Sequence, residues 1–143
     1  MLRTALTILA LMVLPASQVS ASADAYVNHA LNAQRAAHGL HAVQPHHLLM
    51  AAAEAHARDM ARNGFMSHRG SDGSSVAQRV RRQGFCYRHV NENIAMGFRD
   101  PAQVMTGWYN SPGHRRNALS RNVTHYGFAA VERSWVLVMG RPC

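Results

Sequence analysis

The stretch YGFAAVERSWVLVM, residues 126–139, decides the fold class of this chain. Two runs rich in β-branched, aromatic and small apolar residues flank the short polar segment Glu132-Arg133-Ser134. This pattern is typical of two antiparallel strands joined by a tight turn. The sequence therefore ends in a predicted hairpin, on which the preceding part of the chain can pack.

The segments before the hairpin show helical periodicity and helix-boundary residues. We predict helices at about residues 24–38, 46–63, 76–83 and 101–110. Their boundaries are marked by the cap Asp24, the stop Gly64, the capping box Ser75 and Gln78, and Asp100 before Pro101. Residues 85–96 are ambiguous, with a short strand predicted near His89 or at residues 93–96. A chain that begins with several helices and ends with a β-hairpin is predicted to form an α+β domain.

The N-terminal residues, MLRTALTILALMVLPASQVSASA, have the features of a secretory signal peptide. Arg3 provides the positive charge, residues 5–14 form the apolar run, and Ala21-Ser22-Ala23 fits the small-x-small cleavage rule. The apolar run is shorter than the roughly 20 residues that span a bilayer. We predict a signal peptide at residues 1–23 and one domain at residues 24–143, secreted or periplasmic, that is, extracytoplasmic. An uncleaved N-terminal anchor is the alternative.

The charge balance is strongly basic, and it bears on the class of partner. The formal net charge is +8 at pH 7, every basic residue is arginine, and ten histidines add charge in mild acid. A basic excess suits nucleic acid, anionic lipid or an anionic cell wall, and dispersed arginines also fit an ordinary solvated surface. Because the chain is predicted to be exported, we expect no nucleic-acid partner. We expect contact with an anionic surface instead.

Cys86 and Cys143 are the only cysteines in the sequence. In an exported protein an even pair most simply forms one disulfide, although two free thiols are the alternative. A two-cysteine zinc site is not favoured, because the sequence has no CxxC pair. The predicted bond joins residue 143 to the middle of the chain.

Three polar side chains follow or precede predicted elements and could meet in one site. They are His68 in FMSHRG, Glu92 in NENIA and His114 in SPGHRRN. Two imidazoles and a carboxylate on loops could form a metal site or an acid/base site. The alternative is three separate surface residues, with Glu92 capping a loop. Pro112 and Gly113 are predicted to end the fourth helix, so that His114 turns back from a loop.

Five motifs, taken in order, resemble the bacterial exported branch of the CAP superfamily, which is also called the SCP domain. The motifs are LNAQRAAHGL (31–40), FMSHRG (65–70), ENIAMG (92–97), WYNSPGHRRNAL (108–119) and HYGFAAV (125–131). The superfamily includes cysteine-rich secretory proteins, antigen 5 venom allergens and plant pathogenesis-related proteins. The resemblance implies an α-β-α sandwich, with helices on both faces of a small antiparallel sheet.

The resemblance also implies a cleft lined by two histidines and two acids. Carried over, His68 and His114 are the histidines and Glu92 is the first acid, whereas Ser111 stands where the second acid is expected. In members with the full set, the histidines can hold a divalent metal such as zinc. Zinc normally takes four ligands, or three plus a water, so His68 and His114 are expected to bind zinc or another divalent cation weakly.

Two functions from different classes follow from this resemblance. The first is a non-catalytic exported module that binds a lipid, a sterol-like ligand, a cell-wall polymer or another protein. The second is a metal-assisted, peptidase-like hydrolase, in which Glu92 is the base and His68 and His114 hold metal or substrate. Ser111 in place of an acid disfavours the hydrolase, and no serine or cysteine nucleophile stands out in the sequence.

Overall fold

The predicted hairpin forms the centre of a sheet in the computed structural model, which describes residues 16–143. In chain order the elements are α1 (Ala16–Ala37), β1 (Gln44–Pro45), α2 (His47–Asn63), α3 (Val76–Arg82), β2 (Tyr87–Met96), α4 (Pro101–Asn110), α5 (Pro112–Ala118), β3 (His125–Val131) and β4 (Ser134–Pro142). The strand order is β1-β3-β4-β2. Strand β4 pairs antiparallel with both β3 and β2, and the short β1 pairs parallel with β3, so the sheet is mixed.

Local signals set most of the predicted boundaries correctly. Gly64 ends α2 with a left-handed φ of 63°, which costs glycine little. Ser75 and Gln78 form the predicted capping box at the start of α3. At the start of α4, the Asp100 side chain accepts a hydrogen bond from the Gln103 N–H at 2.9 Å. These features confirm the predicted second, third and fourth helices to within a residue.

Three elements differ from the sequence-based expectation. The first helix already includes Ala16, the first described residue, instead of starting at Asp24, because no proline or glycine interrupts residues 16–24. Residues 87–96 form one long strand, because β4 pairs with them along nearly their whole length. Pro112 begins the additional helix α5, since its fixed φ suits the first helical position.

Helices cover both faces of the sheet and bury two apolar clusters. The α2 face of the sheet contributes Val136 and Val138, which pack with Leu49, Ala53 and Met60. The opposite face contributes Leu137 and Met139, which pack with α1 and α4 through residues that include Val27, Leu31 and Trp108. Consecutive residues of β4 are buried because a strand points alternate side chains to opposite faces. The three layers confirm the α-β-α sandwich.

Strand β2 is one edge of the sheet, and both of its faces are partly covered. On the α2 side lies the loop of residues 64–75, whose Phe65 packs against the α2 cluster. On the other side lies α5, whose Ala118 belongs to the opposite cluster. Side chains of β2 that point to either face therefore meet a different segment of the chain.

The predicted signal peptide lies mostly outside the described residues and stays a prediction. Residues 1–15 are not described, and α1 continues through the predicted cleavage site at Ala23, which is buried. No helix within residues 16–143 is both long enough and apolar enough to span a bilayer.

The predicted disulfide joins Cys86 and Cys143, with a Cα–Cα separation of 5.5 Å. Replacing both cysteines by serine is expected to lower the free energy of unfolding by roughly 2–4 kcal/mol, because the bond constrains the unfolded chain. Urea unfolding with and without reductant measures this loss, and the double serine variant should not respond to reductant. A wild-type chain whose stability is unchanged after reduction would contradict the expectation.

Candidate functional site

The outer edge of β2 brings together side chains from both faces of the sheet. Glu92 points to the α2 face, where the loop of residues 64–75 presents His68. Asn93, the next residue, points to the opposite face and contacts α5, which carries His114. The segments that carry His68, 24 positions before Glu92, and His114, 22 positions after it, therefore both contact this one strand.

Glu92 is the centre of the site, and each of its oxygens is already bonded. Its Oε1 accepts a hydrogen bond from the His68 Nδ1 at 2.8 Å, and its Oε2 accepts one from the Arg79 Nη2 at 2.7 Å. The Glu92 side chain is only 1% exposed, whereas that of His68 is 58% exposed. A carboxylate can only accept, so the Nδ1 of His68 carries a proton and the Nε2 of the neutral ring keeps its lone pair.

Arg79 holds both the carboxylate and the loop, and sequence reasoning missed it. Its buried guanidinium donates from Nη1 to the carbonyl oxygens of His68, at 3.0 Å, and Ser74, at 2.8 Å. The arginine therefore fixes the backbone next to the imidazole that Glu92 orients. One sequence signal could have revealed it: Arg79 lies on the inward stripe of α3 formed by Val76 and Val80, where an arginine needs partners.

Two asparagines connect α5 to the edge strand. Asn93 Nδ2 donates to the carbonyl oxygen of His114 at 3.0 Å. Asn117 Nδ2 donates to the Glu92 carbonyl oxygen at 3.1 Å and to Asn93 Oδ1 at 2.9 Å. Asn117 thus supports the junction of α5 with β2, whereas Arg115 stays exposed and donates to the Tyr109 carbonyl oxygen.

The local structure around His114 corrects the expected loop. His114 lies in the first turn of α5, and Gly113 has no left-handed φ, so its glycine freedom is not needed there. Ser111 is the N-terminal cap residue of α5, but its side chain makes no capping hydrogen bond. Its extended backbone before Pro112 agrees with the predicted end of α4 at Asn110.

The pKa of His114 is influenced by burial and by His68. Burial lowers the pKa of His114, and the charge of nearby His68 lowers it further. The His114 ring is therefore predominantly neutral at pH 7, so that one of its nitrogens keeps a lone pair. The structure thus joins His68 directly to Glu92 and places His114 within electrostatic reach of His68.

A buried histidine lies beneath this arrangement. His56 of α2 is 1% exposed, and its Nε2 donates to the Ser67 carbonyl oxygen at 2.8 Å, next to His68 in sequence. Burial is the largest cause of its lowered pKa. Through its bond to Ser67, His56 anchors the start of the His68 loop to α2.

The donor set does not fit a zinc site with three protein ligands. Both oxygens of Glu92 already bind His68 and Arg79, and Ser111 offers no carboxylate. Within residues 16–143, no group of three or more His, Cys, Asp or Glu side chains is arranged to hold a metal ion. Two imidazoles remain, which is fewer than the three protein ligands that catalytic zinc sites use.

Comparison with known proteins identifies relatives of most of this chain. The model of the cysteine-rich secretory protein family (CAP) matches residues 29–138. Uncharacterized protein YkwD of Bacillus subtilis is 36% identical over 101 residues, which are 71% of this chain and 39% of YkwD.

Two solved structures share the fold. An extracellular protein containing a SCP domain from Bacillus anthracis superposes with a TM-score of 0.85 at 23% identity, over 92% of this chain and 45% of that protein. An outer surface protein of Borrelia burgdorferi superposes with a TM-score of 0.77 at 19% identity, over 85% of this chain and 94% of that protein. The chain therefore spans less than half of YkwD and of the Bacillus anthracis protein.

Proposed function

The chain belongs to the cysteine-rich secretory protein (CAP) family, and we propose that it is an exported, non-catalytic binding module whose ligand contacts His68 and His114. The observation that carries this proposal is the state of Glu92. Its side chain is almost fully buried, and each oxygen accepts a hydrogen bond from a charged or titratable partner. Glu92 therefore orients His68 and has no oxygen exposed to activate a water.

The same observation disfavours the hydrolase alternative. A general base must lie within hydrogen-bonding reach of the proton that it removes. Glu92 instead faces His68 and Arg79, and the two imidazoles do not complete a catalytic zinc site. We propose that they bind a divalent cation no more than weakly, which equilibrium dialysis of zinc against wild type and His68→Ala would test.

His68 and His114 offer hydrogen-bond acceptors to a ligand. The Nε2 of His68 is exposed with its lone pair free when the ring is neutral, and His114 is neutral at pH 7. Such a pair suits a ligand with hydroxyl or amide donors. Wall sugars, sterol-like lipids and peptides all carry these groups, so each of the expected ligand classes can donate hydrogen bonds to the two imidazoles.

Several features support a place outside the cytoplasm. The residues before the domain have the pattern of a signal peptide, and the disulfide suits an oxidising compartment. The relatives from Bacillus anthracis and Borrelia burgdorferi are described as an extracellular and an outer surface protein. The net charge of +8 suits a partner on an anionic envelope.

Removing either imidazole is expected to weaken ligand binding. The probes are insoluble peptidoglycan in a sedimentation assay and lipid extracts analysed by mass spectrometry after co-purification. His68→Ala and His114→Ala should each reduce retention about tenfold, roughly the effect of one or two hydrogen bonds. His29→Ala, an exposed histidine of α1, is the matched control and should bind like wild type.

Peptide and ester substrates separate binding from catalysis. Wild type and Glu92→Gln should both show only background hydrolysis. Turnover by wild type that Glu92→Gln abolishes would refute the non-catalytic proposal. Unchanged retention of both probes in His68→Ala and His114→Ala would refute the proposed binding site.

A further inference from the structure

A cavity of about 330 Å³ lies between α2, α3 and the loop of residues 64–75. Among its lining residues His56, Ser74 and Arg79 are buried, whereas Asp72 and Arg82 are exposed. The cavity therefore has a buried floor and an exposed rim. Its volume lies at the lower end of the roughly 300–1,000 Å³ that is typical of small-molecule sites.

Two atoms on the floor of this cavity lack a hydrogen-bond partner. His56 is 1% exposed and Arg79 is 6% exposed. His56 donates from Nε2 to the Ser67 carbonyl oxygen, and Arg79 donates from Nη1 and Nη2 to the loop and to Glu92. Among residues 16–143, His56 Nδ1 and Arg79 Nε find no partner. Most buried polar atoms are bonded, because leaving one unpaired is costly, so these two atoms point to a group from outside the chain.

The two unpaired atoms need opposite partners. Because Nε2 of His56 carries the proton, its Nδ1 is an acceptor, whereas Arg79 Nε–H is a donor. Burial lowers the pKa of His56 and so keeps the ring neutral, and the charge of Arg79 lowers it further, which places the two side chains within electrostatic reach. A hydroxyl group can donate to His56 and accept from Arg79. A phosphate or carboxylate cannot donate, and an ammonium group cannot accept.

The remaining lining favours a neutral molecule. Asp72 and Arg82 form an ion pair on the rim, and Asp59 accepts hydrogen bonds from the backbone and the hydroxyl of Ser71. The carboxylates oppose an anion and the guanidinium groups oppose a cation. The carboxamide of Gln83 can both donate and accept. This surface therefore suits a compact ligand with several hydroxyl groups.

We propose that this cavity binds a neutral monosaccharide, one hydroxyl group of which bridges His56 Nδ1 and Arg79 Nε. None of the lining residues is Phe, Tyr or Trp, so that binding depends on hydrogen bonds and the expected Kd is about 1 mM. The site is separate from the proposed cleft, because neither His68 nor His114 lines the cavity. It therefore adds a function that does not depend on the cleft ligand.

The decisive experiment titrates the ¹⁵N-labelled protein with N-acetylglucosamine and with glucose and follows its NMR signals. The backbone amides of Ala55, Ser71 and Gln83, which line the cavity, should shift saturably. The Nδ1 signal of His56, assigned from its loss in His56→Gln, should move because its lone pair accepts a hydrogen bond. Glucosamine and glucose 6-phosphate carry a charge on a ring of the same size, and each should bind at least about tenfold more weakly.

A variant on the rim tests the location without disturbing the floor. Ala55 is exposed on α2 and lines the cavity, so the indole of Ala55→Trp should block the entrance and abolish the saturable shifts. Its thermal unfolding should stay close to that of wild type, because the substitution removes no buried contact. Ala36→Trp, at an exposed alanine of α1, is the matched control and should bind like wild type. His114→Ala should also bind the monosaccharide like wild type.

Four results would overturn the proposal. They are the absence of saturable shifts with both neutral sugars, which would leave a bridging water as the only occupant, unchanged binding by Ala55→Trp, equal loss of binding in Ala36→Trp, and equal affinity for the charged sugars. Loss of binding in His114→Ala but not in Ala55→Trp would place the sugar in the cleft. That outcome would refute the cavity site and leave the proposed function standing.

Discussion

Replacing Arg79 by methionine is expected to lower the free energy of unfolding by about 3–5 kcal/mol. The substitution leaves the Glu92 carboxylate buried without its cation. It also removes the donor to the carbonyl oxygens of Ser74 and His68. Urea unfolding at neutral pH measures the loss, which should be among the largest for any single polar side chain of this protein.

A double-mutant cycle attributes that loss to the ion pair. Adding Glu92→Gln to Arg79→Met removes the uncompensated charge, so the double variant should recover part of the stability that Arg79→Met loses. Arg82→Met is the matched control on the same helix, because its partner Asp72 is exposed and its removal should matter little. A double variant no more stable than Arg79→Met would show that the buried charge is not the cause.

The parts of the fold that were predicted correctly are those specified by local signals. The hairpin, the capping box at Ser75, the stop at Gly64 and the cap at Asp100 each depend on a few neighbouring residues. The disulfide was predicted from the number of cysteines and from the expected export of the chain to an oxidising compartment. The family resemblance then predicted the layers, and it grouped His68 with Glu92, a pairing that spacing alone leaves open.

The missed features depend on tertiary context. Strand β2 contains Asn91, Glu92 and Asn93, which are poor strand formers, yet β4 pairs with it. Asn93 bonds α5, and Glu92 bonds α3 and the His68 loop, so both polar residues find partners only in the folded chain. The structure after Pro112 was missed for a different reason. Proline ends the helix before it, but it also suits the first turn of a following helix, and the sequence does not show which role applies.

At Gly127 the sheet lies very close to the backbone of α2. A Cβ atom placed there would lie 2.1 Å from the Leu49 carbonyl carbon and 2.1 Å from the Met50 backbone nitrogen. Both are backbone atoms of α2, so no side-chain rotation can relieve the overlap. Helix α2 would have to move away from β3, which would open the cluster formed by Leu49, Val136 and Val138.

Gly127→Ala is therefore expected to prevent folding or to cost more than the roughly 1–3 kcal/mol typical of an overpacked core. The displaced helix also carries His56, which holds the start of the His68 loop, so a surviving folded fraction should bind the cleft ligand less well. Expression, circular dichroism and urea unfolding measure the effect. Gly113→Ala is the matched control, because its Cβ would lie 3.8 Å from the flexible Arg116 side chain and alanine favours helix α5. Equal stability of the two variants would show that α2 can move away from the sheet at little cost.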